Sequence, residues 1–491
     1  MTPAGESTSS MTVSSPTVPE ELGDVAAAVT ARFDDHLRAL EELVRIPSIS
    51  ASGHDPAEVR RSAEATARLL RDTGLDDVRL LEVGGAHPYV TGQLLGAGPD
   101  APTVLLYAHH DVQPVSTPER WHSEPFTPTI RDGRMYGRGA SDDKAGIIAH
   151  VAAIRAWLDA RGSIPVNVKV VIEGEEEVGS PHLEQFLAQH GADLDADVIV
   201  LADVTNFETG WPGLTWALRG LLTATVTVRS MAQPTHSGMW GGVVPDALTA
   251  MCRMVASLHD DDGAIAVAGF DAGRRELSDD ERARVEALPM DVETMHRDAR
   301  TVEGLQLVGG DDAGLLERLW FRPTITPIGM DVPSVERASN TLLNEVTAVL
   351  SCRLAPGQDP DAALAALARH VDEHAPWGLA AHVAARESAP AWVVDPSGPA
   401  YEAAEAAFAA GYGHEVAWMG CGGSIPFVGP FAEAFGGAAA LLIGVEDPAS
   451  NAHGEDESQD LSDLAKTATS VALLFHELAE RGEAVRARGS A

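Results

Sequence analysis

Apolar positions recur at three- and four-residue spacing from about Val25 to Leu70, most clearly over Phe33–Val44, and predict helices. Short apolar runs then alternate with helix-length segments: VTGQLLG, TVLLYAH, the alanine-rich AGIIAHVAAIRAWLDARG, VNVKVVIEG and ADVIVLAD. Strands separated by helices predict an α/β layer built on a mostly parallel sheet. Near Trp211 the texture changes. LRGLLTATVTVRS and TAVLSCRLAP read as amphipathic or edge strands, with the charge-rich helical stretch ELSDDERARVEALPMDVETMHRDA between them. After Pro390 the α/β texture returns with YEAAEAAFAAGYG, the glycine-rich GCGGSIPFVGPF, the strand AAALLIGVE and a final helix from about Leu461 to Arg481. The expected organisation is a disordered tail over 1–24 and an α/β domain in two parts, 25–210 and 389–491. A smaller α+β unit over 211–388 interrupts it.

Composition narrows the class. A chain of 491 residues with 45% hydrophobic content is long enough for two to three domains, and no run of ~18 apolar residues marks a membrane span. The Ser/Thr/Pro-rich start lacks the basic and apolar segments of a secretory signal. Cys252, Cys352 and Cys421 lie far apart with no CxxC pairing, which argues against a disulfide framework or a thiolate zinc site and for a cytoplasmic location. Asp plus Glu number 73 against 35 Lys plus Arg, a net of −38. Such a surface repels nucleic acid and anionic lipid, so neither is an expected partner.

In parallel sheets ligands sit beyond the carboxyl ends of the strands, so the residues there carry the candidate chemistry. TVLLYAHHDVQP puts His109, His110 and Asp111 at such an end, and RMYGRGASDDKAG places Asp142 and Asp143 before the alanine-rich helix. VVIEGEEEVGS supplies Glu173, Glu175, Glu176 and Glu177; DVIVLADVTN ends in Asp203; and His453 follows the strand AAALLIGVE. Two imidazoles and three carboxylates suit divalent zinc, cobalt or manganese. With one carboxylate bridging, two ions would each receive three protein ligands and keep a place for water, as hydrolysis requires. Successive residues of an extended backbone point oppositely. Of Glu176 and Glu177, therefore, one is expected to ligate and the other to act as general base, and spacing does not say which.

YAHHDVQP, YGRGASDDKAG, EGEEEVGS, LAD and SNAHGEDES, in this order, resemble the dinuclear zinc metallopeptidases of the carnosinase, aminoacylase and carboxypeptidase G type. W-x-x-PF-x-P near Trp121, THSGMWGG, LSCRLAPG and GGSIP bring the resemblance nearest the cytosolic dipeptidases, over nearly all the chain after about residue 25. The resemblance implies a catalytic domain interrupted by a lid and dimerisation domain, a homodimer, and two divalent ions per subunit. Zn2+ is the first choice, with Mn2+ or Co2+ as the others. It implies that His109 and Asp203 hold one ion, Glu177 and His453 the other, and that Asp142 bridges them. Asp111 would orient His109, and Glu176 would be the general base. His236 would stabilise the oxyanion across a dimer and Arg353 would grip a substrate carboxylate. Asn340 would make another cross-subunit contact, with Gly423 and Ser424 as further donors. Glu173, Glu175 and His110 receive no role and read as solvated or structural. Two positions depart from the pattern: relatives often carry Arg-Glu where Gly420-Cys421 stand, and Asn where Asp456 precedes Glu457.

The expected function is metal-dependent hydrolysis of dipeptides or short peptides with a free C-terminal carboxylate, by a metal-bound water that Glu176 activates. The alternative is an N-acyl amino acid deacylase using the same site. A catalytically silent metal-binding or interaction protein is more remote, because the base and all five ligand candidates are present.

Overall fold

The computed structural model describes residues 17–309, 314–423, 425 and 428–487. They form two compact units. The first comprises the chain up to Leu214 with Ser397–Ala417 and Phe431 onward; the second comprises Thr215–Pro396 with Trp418–Pro430.

The first unit is built on strands Asn167–Glu173, Thr103–His109, Val198–Thr205 and Ala439–Glu446, which lie side by side in that order and run parallel. Tyr89–Leu94 and Asp76–Leu81 extend this sheet antiparallel beyond Asn167–Glu173. The parallel strands are buried on both faces, which explains why they read as continuous apolar runs rather than alternating ones. Helix Lys144–Arg161 is buried nearly all round because it packs on strand Thr103–His109 and on helices Gly23–Ala31 and Leu461–Glu480. Asp143 caps its start and Gly162, at φ 72°, ends it in the left-handed conformation. A Cβ at Gly146 would stand 2.5 Å from the carbonyl oxygen of Ala202, so only glycine lets the helix start this close to strand Val198–Thr205. That approach sets Asp142 near Asp203. Lys144 is buried and donates from Nζ to the carbonyls of Leu43 and Ile46 at 2.9 Å, satisfying the end of helix Phe33–Val44.

The second unit holds an antiparallel sheet in the order Thr324–Met330, Glu345–Leu354, Gly220–Arg229, Ala380–Ala389. Gly220–Arg229 and Glu345–Leu354 alternate buried and half-buried positions, as strands with one covered face must. Helices Ala247–Ala256 and Pro360–His374 cover that face around Met251, Met254, Phe270 and Leu367.

Several boundaries differ from the sequence expectation, the second unit running over Thr215–Pro396 rather than 211–388. Of the tail expected over 1–24, residues 1–16 lie outside the described residues. Glu20–Leu22 form a helical turn that runs into helix Gly23–Ala31, because Leu22, Val25 and Val29 are wholly buried. Trp418–Pro430, expected within the α/β domain, belongs to the second unit. There Cys421 accepts the Arg219 amide at 3.2 Å and Gly420 packs against Trp320.

Candidate active site

His109 closes strand Thr103–His109 and is fully buried. Asp143 accepts its backbone N–H at 3.0 Å while also accepting that of Gly146 at 3.2 Å. The helix cap contributes about 1 kcal/mol; the same carboxylate ties the end of the strand to the start of the helix. Nδ1 of His109 donates to the Asp111 carbonyl at 3.1 Å, with that residue's carboxylate 3.4 Å away, so Nε2 is left facing the carboxylates. Nε2 lies 3.0 Å from Asp142, 3.7 Å from Asp203 and 4.0 Å from Glu176.

Asp111 reaches further than its histidine. Its carboxylate accepts the Ser50 hydroxyl at 2.6 Å and the backbone N–H groups of Glu176 at 3.3 Å and Glu177 at 3.1 Å. Glu176–Val178 is a 3₁₀ turn, not the extended segment expected from alternation. The two glutamates diverge because the turn rotates them. Glu177 lies 3.1 Å from His453 Nε2 and accepts the backbone and side-chain N–H groups of Gln113 at 3.0 and 2.8 Å, whereas Glu176 stays beside His109. Glu173 and Glu175 are buried, so of their solvated and structural readings the structural one holds. Glu173 accepts hydroxyls from Tyr89 and Tyr107, and Glu175 accepts that of Tyr89 and the backbone N–H of His182.

Asp142 stands between the two histidines, with one oxygen 3.0 Å from His109 and the other 2.9 Å from His453. Two groups of ligand atoms result, His109–Asp142–Asp203 and Asp142–Glu177–His453, and within each group the atoms lie within 4.8 Å of one another. Burial, then the charge of Asp203, lifts the Glu176 carboxyl well above its usual range. Burial, then Asp142, lifts Glu177 to about 7, and burial also raises Asp203. Carboxylates crowded in this way call for positive charge, and an N2O3 donor set divided around a shared aspartate suits a pair of divalent cations. The donor chemistry therefore fits the expected ions.

In the second unit His236 is exposed and pairs with Thr341 across a two-stranded ribbon, Thr235–His236 against Thr341–Leu342. The carbonyl of Asn340 accepts the Ser237 N–H at 2.9 Å, so the ribbon brings His236 and Asn340 together. Arg353 lies on strand Glu345–Leu354, opposite Leu221 and Thr324. Gly423 donates its N–H to the Cys421 sulfur at 3.3 Å, and Ser424 lies outside the described residues. Arg219, which carried no motif signal, is buried and donates to the carbonyls of Gly422 at 3.1 Å and Arg322 at 3.2 Å. Burial, then the nearby charge of Arg353, depresses its guanidinium to about 10.

A model of the peptidase family M20/M25/M40 matches residues 105–477. The chain belongs to that family. It is a metal-dependent peptidase with places for two divalent cations. A cysteinylglycine-S-conjugate dipeptidase of Corynebacterium striatum is 35% identical over 90% of this chain and 96% of its own length. Human carnosine dipeptidase 1 superposes with a TM-score of 0.82 at 25% identity, covering 95% of this chain and 100% of that one. The dipeptidase Dug1p of Saccharomyces cerevisiae shares the fold, with a TM-score of 0.83 at 24% identity over 94% and 98% of the two chains.

The departures of this M20 peptidase have physical counterparts. Trp320 and Phe321 occupy the space a side chain at residue 420 would need, since a Cβ there would stand 2.7 Å from Trp320. Asp456 accepts the His122 N–H at 3.0 Å and pairs with that ring. Gln113 and Ser50 were missed by sequence reasoning. Gln113 lies inside the YAHHDVQP motif, two residues beyond Asp111, and so had a signal; Ser50 had none.

The crowded carboxylates set a pH dependence. In the cation-free peptidase Glu177 titrates near 7, against about 4.3 in the unfolded chain. Between those values the folded chain holds a proton that the unfolded chain has lost. Stability therefore falls as pH rises, by at most about 1.4 kcal/mol per pH unit for each such group. Calorimetry of chelated protein should show a melting temperature that declines from about pH 5 to pH 7 more steeply than that of cation-loaded protein. Glu173, also lifted by burial to about 7, adds the same slope to both forms and drops out of the difference. Equal slopes would show that the ligand carboxylates carry no excess protons.

Proposed function

We propose that this peptidase hydrolyses dipeptides or short peptides that end in a free carboxylate. The observation that carries the reading is the sharing of Asp142 by two ligand groups, with Glu176 lying beside them and outside both. His109, Asp142 and Asp203 would hold one cation and Asp142, Glu177 and His453 the other; mixed imidazole and carboxylate donors accept Zn2+, Mn2+ or Co2+, and the family resemblance puts Zn2+ first. When bound, the pair polarises the scissile carbonyl and acidifies the attacking water. Glu176 takes that water's proton on its carboxylate and delivers it to the leaving amine nitrogen. Asp111 holds both the His109 ring and the Glu176–Glu177 turn, so the base and the first ligand keep a fixed spacing. His236 would donate to the developing oxyanion and Arg353 would grip the substrate carboxylate, where planar paired donors suit it. The proximity of Arg219 to Arg353 supports an anion-binding role for that corner. Exposure of His236 and Asn340 on one ribbon, near exposed Met239 and Trp240, supports a homodimer formed through the second unit, with these residues serving the partner's site. Cytoplasmic residence is supported by the free cysteines; among the described residues no helix is long and apolar enough to cross a membrane.

Amine release from free dipeptides, their C-terminal amides and N-acetyl amino acids tests the substrate class. Free dipeptides should be cleaved. The amides should lose about 10²-fold in kcat/KM, the value of one charged contact of roughly 3 kcal/mol, and Arg353→Met should erase that difference. Turnover confined to N-acetyl amino acids would assign a deacylase instead.

A further inference from the structure

The loop that carries His453 is conformationally unusual. Asn451, His453 and Asp456 all have positive φ, at 54°, 63° and 55°, a region that residues with a Cβ avoid. The ring of His453 is also 56% exposed, so packing alone does not hold it against Asp142 and Glu177. Something else must fix this loop relative to the segment that bears Asp142, more than 300 residues earlier in the chain.

The two segments are joined first by backbone. Strand Ser458–Asp460 pairs antiparallel with Arg134–Tyr136, and Arg134 donates to both oxygens of Asp447 at 2.7 and 3.1 Å. Next to this pairing a buried pair of side chains joins the two segments. Arg138 and Glu457 are 2% and 0% exposed and form an ion pair. Each also holds the other's segment. Glu457 accepts the backbone N–H of Ser141 at 3.1 Å and that of Asp142 at 3.2 Å, while Arg138 donates to the Gly454 carbonyl, next to His453, at 3.2 Å. The Gly137 N–H donates to the Glu457 carbonyl at 2.9 Å. A buried ion pair contributes little net stability by itself, because desolvation offsets the attraction. Its hydrogen bonds, however, fix one backbone against the other.

We infer that Arg138 and Glu457 are positioning residues that set the spacing between Asp142 and His453, and so decide whether the Asp142–Glu177–His453 group closes on a cation. This rests on the reading that those three residues hold one. His109 and Asp203 come from neighbouring strands of the sheet, and the clamp touches neither; the two groups share only Asp142. Its loss should therefore weaken the cation at Asp142, Glu177 and His453, which depends on both clamped segments, more than the other.

The test is zinc titration of the full-length, chelator-stripped protein by calorimetry, with bound metal counted by mass spectrometry. Wild type should take two ions. Glu457→Ala should bind one ion on the order of 10–100-fold less tightly, as loss of partners behind a ligand typically does, with the other ion weakened less. Glu457→Gln, which keeps an acceptor for the two N–H groups, should recover part of that loss. Arg138→Met, which leaves the acceptor in place, covers the case in which Glu457→Ala does not fold. Equal weakening of both ions would mean a merely structural pair, and wild-type affinities in Glu457→Gln and Arg138→Met would overturn the clamp. A wild type that takes fewer than two ions would overturn the reading of the site instead.

Discussion

Glu176→Gln is expected to lower kcat on free dipeptides by about 10²–10⁴-fold, the span of a positioned general base, while both cations stay bound. The amide has the size of the carboxylate but no basic oxygen. Glu176 lies outside both ligand groups, and its backbone N–H is held by Asp111 whatever its side chain is. Metal content and activity should therefore separate in this variant. Single-turnover amine release together with a metal count checks it, and loss of cations alongside activity would make Glu176 a ligand rather than the base.

Asp142→Asn should have the opposite signature. Asp142 offers one oxygen toward His109 and the other toward His453, and an amide cannot present two anionic oxygens. Both ions should weaken together, and kcat/KM should fall on the order of 10³-fold or more, since metal assistance supplies several kcal/mol. Excess zinc should restore little of that loss. Retention of one tightly bound ion in this variant would show that Asp142 serves a single group. Set beside Glu457→Ala, the three substitutions differ in kind: activity without metal loss, both ions together, or one ion more than the other.

Much of this arrangement is legible in the sequence because it is local. Phe33–Val44 is helical where its spacing predicts, and His109, Glu173 and Asp203 fall at or near the ends of strands rich in apolar residues. What depends on distant partners is not legible. For Glu173 and Glu175 the sequence leaves solvated and structural readings open, because the tyrosines and His182 that receive them lie elsewhere in the chain. The Glu176–Val178 turn is held by Asp111, 65 residues away from Glu176, as well as by its own left-handed Gly179. Trp418–Pro430 goes to the second unit because of Arg219 and Trp320, neither of which carries a motif. Leu22 and Val25 belong to a helix because the sheet domain has a place for them, although the stretch before them is polar and proline-rich.

The shared aspartate also has a consequence for how the molecule comes into being. His109, Asp142 and Asp203 all precede the inserted unit, whereas His453 follows it, as does strand Ala439–Glu446, which lies beside the strand of Asp203. A ribosome therefore finishes one half of the site some 250 residues before it makes the last ligand of the other. A chain released anywhere within the insert has the three proposed ligands of a first ion but lacks His453 and the strand beside that of Asp203. On the proposed ligand set, hydrolytic competence thus comes only to chains translated past residue 453.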